Sequence, residues 1–336
     1  MSRRRGTAVA IALLMAALAA AGCGLGPGAD VGSVELTVTR EFGAEPVLQR
    51  SLEAKESDTV MRALEANADV ETRFGGGFVH SIGGVAEGER GGDPYDWFFF
   101  VDGVESPVGA ADVELKGDER VWWDYRDWSA TNHVPAVVGS WPAPFTDGVA
   151  GKPHPVVLEC AGAKRGSFRT HTVQKEPRLP WGGACAEAQA ALAREGVKLA
   201  TGSPQGAIRM LVGPWDRLRE DQAAQLLEDG PAESGIYANF EADVRPHTGI
   251  GDQRTNAAPT LVALDEDGTE ARRLGPDAGL VAATSRYGGP PVWLVTGGTA
   301  AAVREAAAAL DAAHLRDHYA VAIAGGKETP LPVAAR

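Results

Sequence analysis

Two aromatic runs joined by turn-forming residues constrain this chain more than any other feature. Trp97-Phe98-Phe99-Phe100-Val101 ends in Asp102-Gly103, a dipeptide suited to a tight hairpin because both positions tolerate positive φ. A second turn at Lys116-Gly117-Asp118 leads into the run from Arg120 to Arg126. Side chains alternate across a strand, so Trp123 and Tyr125 share one face while Trp122 and Asp124 share the other. A small domain buries one such face against a helix. The second face is then either covered by later parts of the chain or left open as a platform for a flat ligand or a partner.

The residues upstream supply the rest of a domain. Alternation predicts strands at residues 33–39 and 47–52, separated by a turn near Gly43. A helix follows, capped by Ser57 or Asp58, with Val60, Met61, Leu64 and Ala68 as its apolar stripe. Residues 78–82 read as a short strand between glycine turns. This order predicts an α+β fold, with a β-grasp-like first domain of one main helix over residues 33–130. Residues 131–155 form a Pro-rich connection, and its Val137, Val138, Trp141 and Phe145 are expected to pack on a surface. Residues 156–336 read as an α/β domain of strand–helix–strand units. Strands are expected at 156–160, 197–200, 209–212, 236–240, 291–295 and 319–323, with helices at 184–194, 218–227 and 300–313 and a hairpin at 260–274.

The first residues bear on compartment. Arg3, Arg4 and Arg5 precede an apolar run from Ala8 to Ala21, too short for a stable membrane span but suited to a signal peptide. The run ends in Ala20-Ala21-Gly22-Cys23, which resembles the lipobox of bacterial lipoproteins, with Cys23 as the lipidated (palmitate-bearing) residue. Residues 1–22 are then the lipoprotein signal peptide and 23–32 a lipidated, glycine-rich tether. The expected location is the extracytoplasmic face of the cell membrane, held there by acyl chains. Three cysteines are present; with Cys23 committed to lipid, Cys160 and Cys185 remain as either a disulfide or two buried thiols. The formal net charge is −13, and residues 31–130 carry a net of −12, so no basic stripe offers itself to nucleic acid.

The motif Trp97-x-x-Phe100-Val101-Asp102-Gly103, followed by Gly109-Ala110-x-Asp112-x-x-Leu115-x-Gly117-Asp118-x-x-Val121-x-Trp123, resembles the transcobalamin-like C-terminal domain family. The helix entry from Ser57 to Leu64 and the segment from Gly75 to Ile82 fit the same family. Asp102 stands where asparagine is usual, and the turn accepts either. The likeness covers residues 33–130 and implies a domain that closes over a corrinoid; the helical barrel of the animal transcobalamins has no counterpart here. For an envelope lipoprotein it implies capture of cobalamin or a related corrinoid beside an importer subunit.

On these grounds the expected ligand contacts are Phe78, Trp97, Phe99, Trp123, Tyr125 and Trp128, with His80 as a polar or cobalt-reaching group. Asp124, Arg126 and Asp127 are expected to form an intradomain ion pair or, in the alternative, to orient a polar ligand edge. His314 and His318, four apart on an expected helix, share a face but lack a third ligand, so no metal site is assigned. Gly297-Gly298-Thr299 reads as a capped helix start. No nucleophile elbow or metalloprotease motif occurs, and the chain is not expected to be an enzyme. The alternative to ligand capture is a non-catalytic structural or protein-interaction module of the cell envelope.

Overall fold

The computed structural model describes residues 28–162, 167–170, 179–202, 204–241 and 258–334. The expected signal peptide and Cys23 lie outside the described residues. Among those described, no helix is long and apolar enough to cross a membrane.

Backbone conformation at Asp102 and Gly103 organises the first domain. Both have positive φ, 52° and 78°, and they reverse the chain between β7 (Asp93–Val101) and β8 (Val104–Glu105). The strand β9 (Arg120–Asp127) then lies antiparallel to β7 and parallel to β1 (Asp30–Arg40). With β2 (Glu45–Lys55) outside β1 and β6 (Gly88–Arg90) outside β7, the sheet runs β2-β1-β9-β7-β6. The helix α1 (Val60–Glu65) starts at Thr59, whose hydroxyl accepts from the Arg62 N–H, one or two residues later than Ser57 or Asp58. Its Val60, Met61 and Leu64 join one core with Val34, Leu36, Val38, Trp97, Trp123 and Tyr125. A smaller sheet of β3 (Val70–Arg73), β4 (Phe78–Ile82) and β5 (Val85–Ala86) flanks this core. The fold is α+β, as expected.

The second domain is a mixed seven-stranded sheet in which β10 (Val156–Ala161), β12 (Ile208–Val212) and β17 (Val292–Gly297) run parallel. On one side of these lies β11 (Phe168–Thr170); on the other lie β16 (Gly279–Thr284), β18 (Ala320–Ala324) and β19 (Lys327–Leu331). The crossover helices α2 (Gly182–Arg194) and α5 (Ala300–Ala308) pack against the sheet and each other. A separate antiparallel sheet holds β13 (Ala238–Glu241), β14 (Thr260–Leu264) and β15 (Glu270–Gly275).

Three expected elements differ. Residues 218–227 are not one helix: α3 (Trp215–Leu218) ends and a short 3-10 turn at Ala224–Leu227 follows. The expected strand at 197–200 is reduced to a single bridge between Leu199 and Val156. The helix expected to reach Ala313 stops at Ala308 and restarts after Asp311, which caps α6 (Ala312–Leu315; the four-residue helix α4 is Pro231–Ser234). Because α6 ends at Leu315, His314 and His318 do not share a helical face. His314 instead pairs with Asp311 at 2.8 Å. Thr299 does cap α5, accepting from the Ala302 N–H.

Cys160 of β10 and Cys185 of α2 form a disulfide spanning 25 residues of sequence. Loop closure of that length is worth about 3 kcal/mol. Replacing both cysteines with alanine should lower the denaturant-unfolding free energy by about that amount. An unchanged midpoint in non-reducing buffer would contradict this.

Candidate functional site

The register between β7 and β9 sets Phe99 opposite Trp123 and Trp97 opposite Tyr125. All four pack in or against the core beneath α1, and the Phe99 and Trp123 rings stack with centroids 4.7 Å apart. At the edge of this aromatic row, between β7, β4 and the turn before Ala110, lies an open pocket of about 190 Å³. Phe78, Trp97, Phe99 and Trp123 line it together with Met61, Val79, Gly77, Gly109 and Ala110. Close packing of backbone sets part of the wall: a side chain at Gly109 would meet the Gly77 carbonyl at 3.0 Å. Nearby, the exposed Phe74 makes an edge contact with Phe78, and Val108 is half exposed.

Two acids also line the pocket, Asp96 and Glu105. Burial pushes the Asp96 carboxyl up to about 6, partly offset by the hydrogen bond it accepts from the Trp97 N–H at 2.7 Å. Glu105 accepts from the Val134 N–H at 2.6 Å and pairs with His133 at 3.2 Å, which ties the pocket wall to the connecting segment. Neither acid stands out in the sequence, where isolated acids in so acidic a domain read as solubilising surface.

The other expected contacts lie apart from the pocket lining. Tyr125 is buried; its hydroxyl donates to the Ala86 carbonyl at 2.8 Å and the Arg90 guanidinium covers its ring. His80 on β4 is half-buried between Glu87 and Arg73, at 3.2 and 3.0 Å. Trp128 stands past the end of β9, 37% exposed, its backbone N–H donating to the Pro94 carbonyl.

The opposite face of the sheet is closed by the chain itself. Trp122 is fully buried and packs with Phe42, Phe100 and Tyr319 in a core shared with the second domain. Val134, Val137, Val138, Trp141 and Phe145 of the connection join that core. The ion pair expected among Asp124, Arg126 and Asp127 does not form. Asp124 accepts instead from the Thr39 hydroxyl, the Gly43 N–H and the Tyr319 hydroxyl. Arg126 donates to the Asp127 and Thr131 carbonyls and lies 3.8 Å from the Phe98 ring centroid. Neutral donors from both domains thus satisfy Asp124, while Asp127, on the opposite face of β9 from Arg126, accepts from the Ser129 N–H.

A family model described as Domain of unknown function (DUF4430) matches residues 57–127. The matched stretch runs from the entry of α1 to the end of β9 and includes all of the pocket's lining residues. No curated protein matches the chain.

Proposed function

We propose that this protein is a membrane-anchored extracytoplasmic lipoprotein whose first-domain pocket binds one edge of a flat, largely apolar small molecule for capture or uptake. The observation that carries this reading is the pocket itself, which gathers four of the seven expected contacts, Phe78, Trp97, Phe99 and Trp123, around one opening. At about 190 Å³ it is smaller than the roughly 300 Å³ and upward typical of sites that enclose a ligand. A larger ligand therefore inserts an edge and lies over the exposed Phe74 and Val108. The likeness to the transcobalamin-like family supports cobalamin or a related corrinoid as that ligand, with an importer subunit as the receiving partner. No catalytic role is assigned to the chain.

Tryptophan fluorescence tests the site, because a corrin seated over Phe99 and Trp123 lies close enough to quench the indoles. Saturable quenching by cobinamide, lost in Phe99→Ala, supports the reading; quenching that only tracks absorbance argues against it. A second reading, a non-catalytic structural or protein-interaction module, is favoured by the burial of Trp97, Trp123 and Tyr125 at 6%, 2% and 2% exposure. In that case the pocket receives an apolar side chain of a partner and cobinamide has no effect.

The anchor has its own test. Acyl chains on Cys23 bury many methylenes at about 0.8 kcal/mol each, enough for stable attachment. Cys23→Ser should move most of the protein from the membrane fraction into the medium. Full retention of the variant in the membrane would contradict the anchor.

A further inference from the structure

A second cleft, larger and of different chemistry, opens where the first domain meets the connection and the loop before β18. It measures about 560 Å³, within the size range of small-molecule sites. Asp102, Arg120, Ser140 and Trp141 line it, each at most 6% exposed. All four leave a buried polar atom without a hydrogen-bond partner: Asp102 Oδ2, Arg120 Nε, Ser140 Oγ and Trp141 Nε1. A buried polar group left unmatched costs free energy, so hydrogen-bonding matter that reaches these groups from the cleft would be favoured there. They include both donors and acceptors.

The charges around the cleft narrow the ligand. Arg120 is held by the Gly139 carbonyl and Asp317, and Arg316 pairs with Glu35. Glu119 accepts from the Lys116 and Gly117 N–H groups. The lining as a whole carries both signs, with Glu35, Asp102, Asp118, Glu119 and Asp147 beside Arg50, Arg120 and Arg316, a mixture that disfavours a polyanion and offers vicinal hydroxyls both acceptors and donors. The remaining demand is for a neutral molecule that both donates and accepts hydrogen bonds at several points.

We propose that this cleft binds a small polyhydroxyl molecule of monosaccharide size, hydrogen-bonded by Asp102, Ser140, Trp141 and Arg120. The site is independent of the apolar pocket between β7 and β4, and its ligand is a different class of compound. Ligand-observed NMR and calorimetry on the purified full-length protein test it, with D-glucose, D-galactose and N-acetylglucosamine as probes and putrescine and citrate as charged comparisons. Binding of at least one sugar below about 10 mM is expected, weakened about tenfold in Ser140→Ala and in Asp102→Asn. Both variants are conservative: Ser140 loses only an unpartnered hydroxyl, and asparagine keeps the turn and the acceptor for the Arg120 N–H. Phe99→Ala should leave sugar binding intact, which separates failure here from failure of the first pocket. The proposal is overturned if no sugar binds, if putrescine or citrate binds in place of the sugars, or if sugar binding survives both variants unchanged.

Discussion

Trp122→Ala is expected to destabilise the protein by about 3–5 kcal/mol and to melt in two transitions where the wild type is expected to melt in one. The indole is fully buried between Phe100 and Tyr319, so truncation leaves a cavity at the seam of the two domains. It also breaks a chain of hydrogen bonds. The Trp122 indole N–H donates to Thr39, Thr39 donates to Asp124, and Asp124 accepts from Tyr319 of the second domain. These contacts couple the domains, and without them each should melt on its own. Scanning calorimetry gives the answer directly: one cooperative peak in the wild type and two in the variant. A variant that melts in one peak within a degree or two of wild type would show that the shared core contributes little.

Asp102→Asn is expected to raise stability at pH 8 by about 3 kcal/mol and to flatten its pH dependence. Burial pushes the Asp102 carboxyl up to about 7, above its ordinary value of 3.8, and nearby Asp147 and Glu119 add to the shift. An acid that holds its proton more tightly when folded favours the native state at low pH. Its stabilising contribution is complete below about pH 4 and is lost as the pH rises through 7. Asp124 and Asp96, both pushed up to about 6 chiefly by burial, add slopes of the same sign between pH 4 and 6. Asparagine cannot ionise, yet it keeps the left-handed turn and the acceptor for the Arg120 N–H. In denaturant titrations, wild type and variant should therefore lie closer together at pH 5 and diverge at pH 8. Equal stability at pH 8 would contradict the burial argument.

Much of the fold was legible because its signals are local. Asp102-Gly103 specifies a turn within two residues, and alternation of Trp122, Trp123, Asp124 and Tyr125 specifies two faces of one strand. The strand β16 gives no such signal: all six of its residues are buried, and its glycine and alanines, unlike the valines and tryptophan of the equally buried β17, are poor strand formers. A strand covered on both sides loses the alternation that would reveal it. Helices were overextended at residues 218–227 and 300–313, where alanine and leucine favour helix in isolation but tertiary contacts break the run.

The candidate sites were legible only in part, for a related reason. Phe78, Trp97, Phe99 and Trp123 could be grouped because strand pairing within one domain brings them together. Whether the Trp122 face stays open depends on Tyr319 and on the connection, and nothing near Trp122 in the sequence encodes their arrival. The polar cleft combines Asp102 with Ser140 and Arg316, residues that carry no shared motif and meet only when the domains dock.

The central claim is that the first-domain pocket holds the edge of a flat metabolite. Isothermal titration of the full-length protein with cobinamide and cobalamin tests it most directly. The account predicts saturable heat at one ligand per chain, abolished in Phe99→Ala. No heat with either corrinoid up to about 1 mM would contradict it.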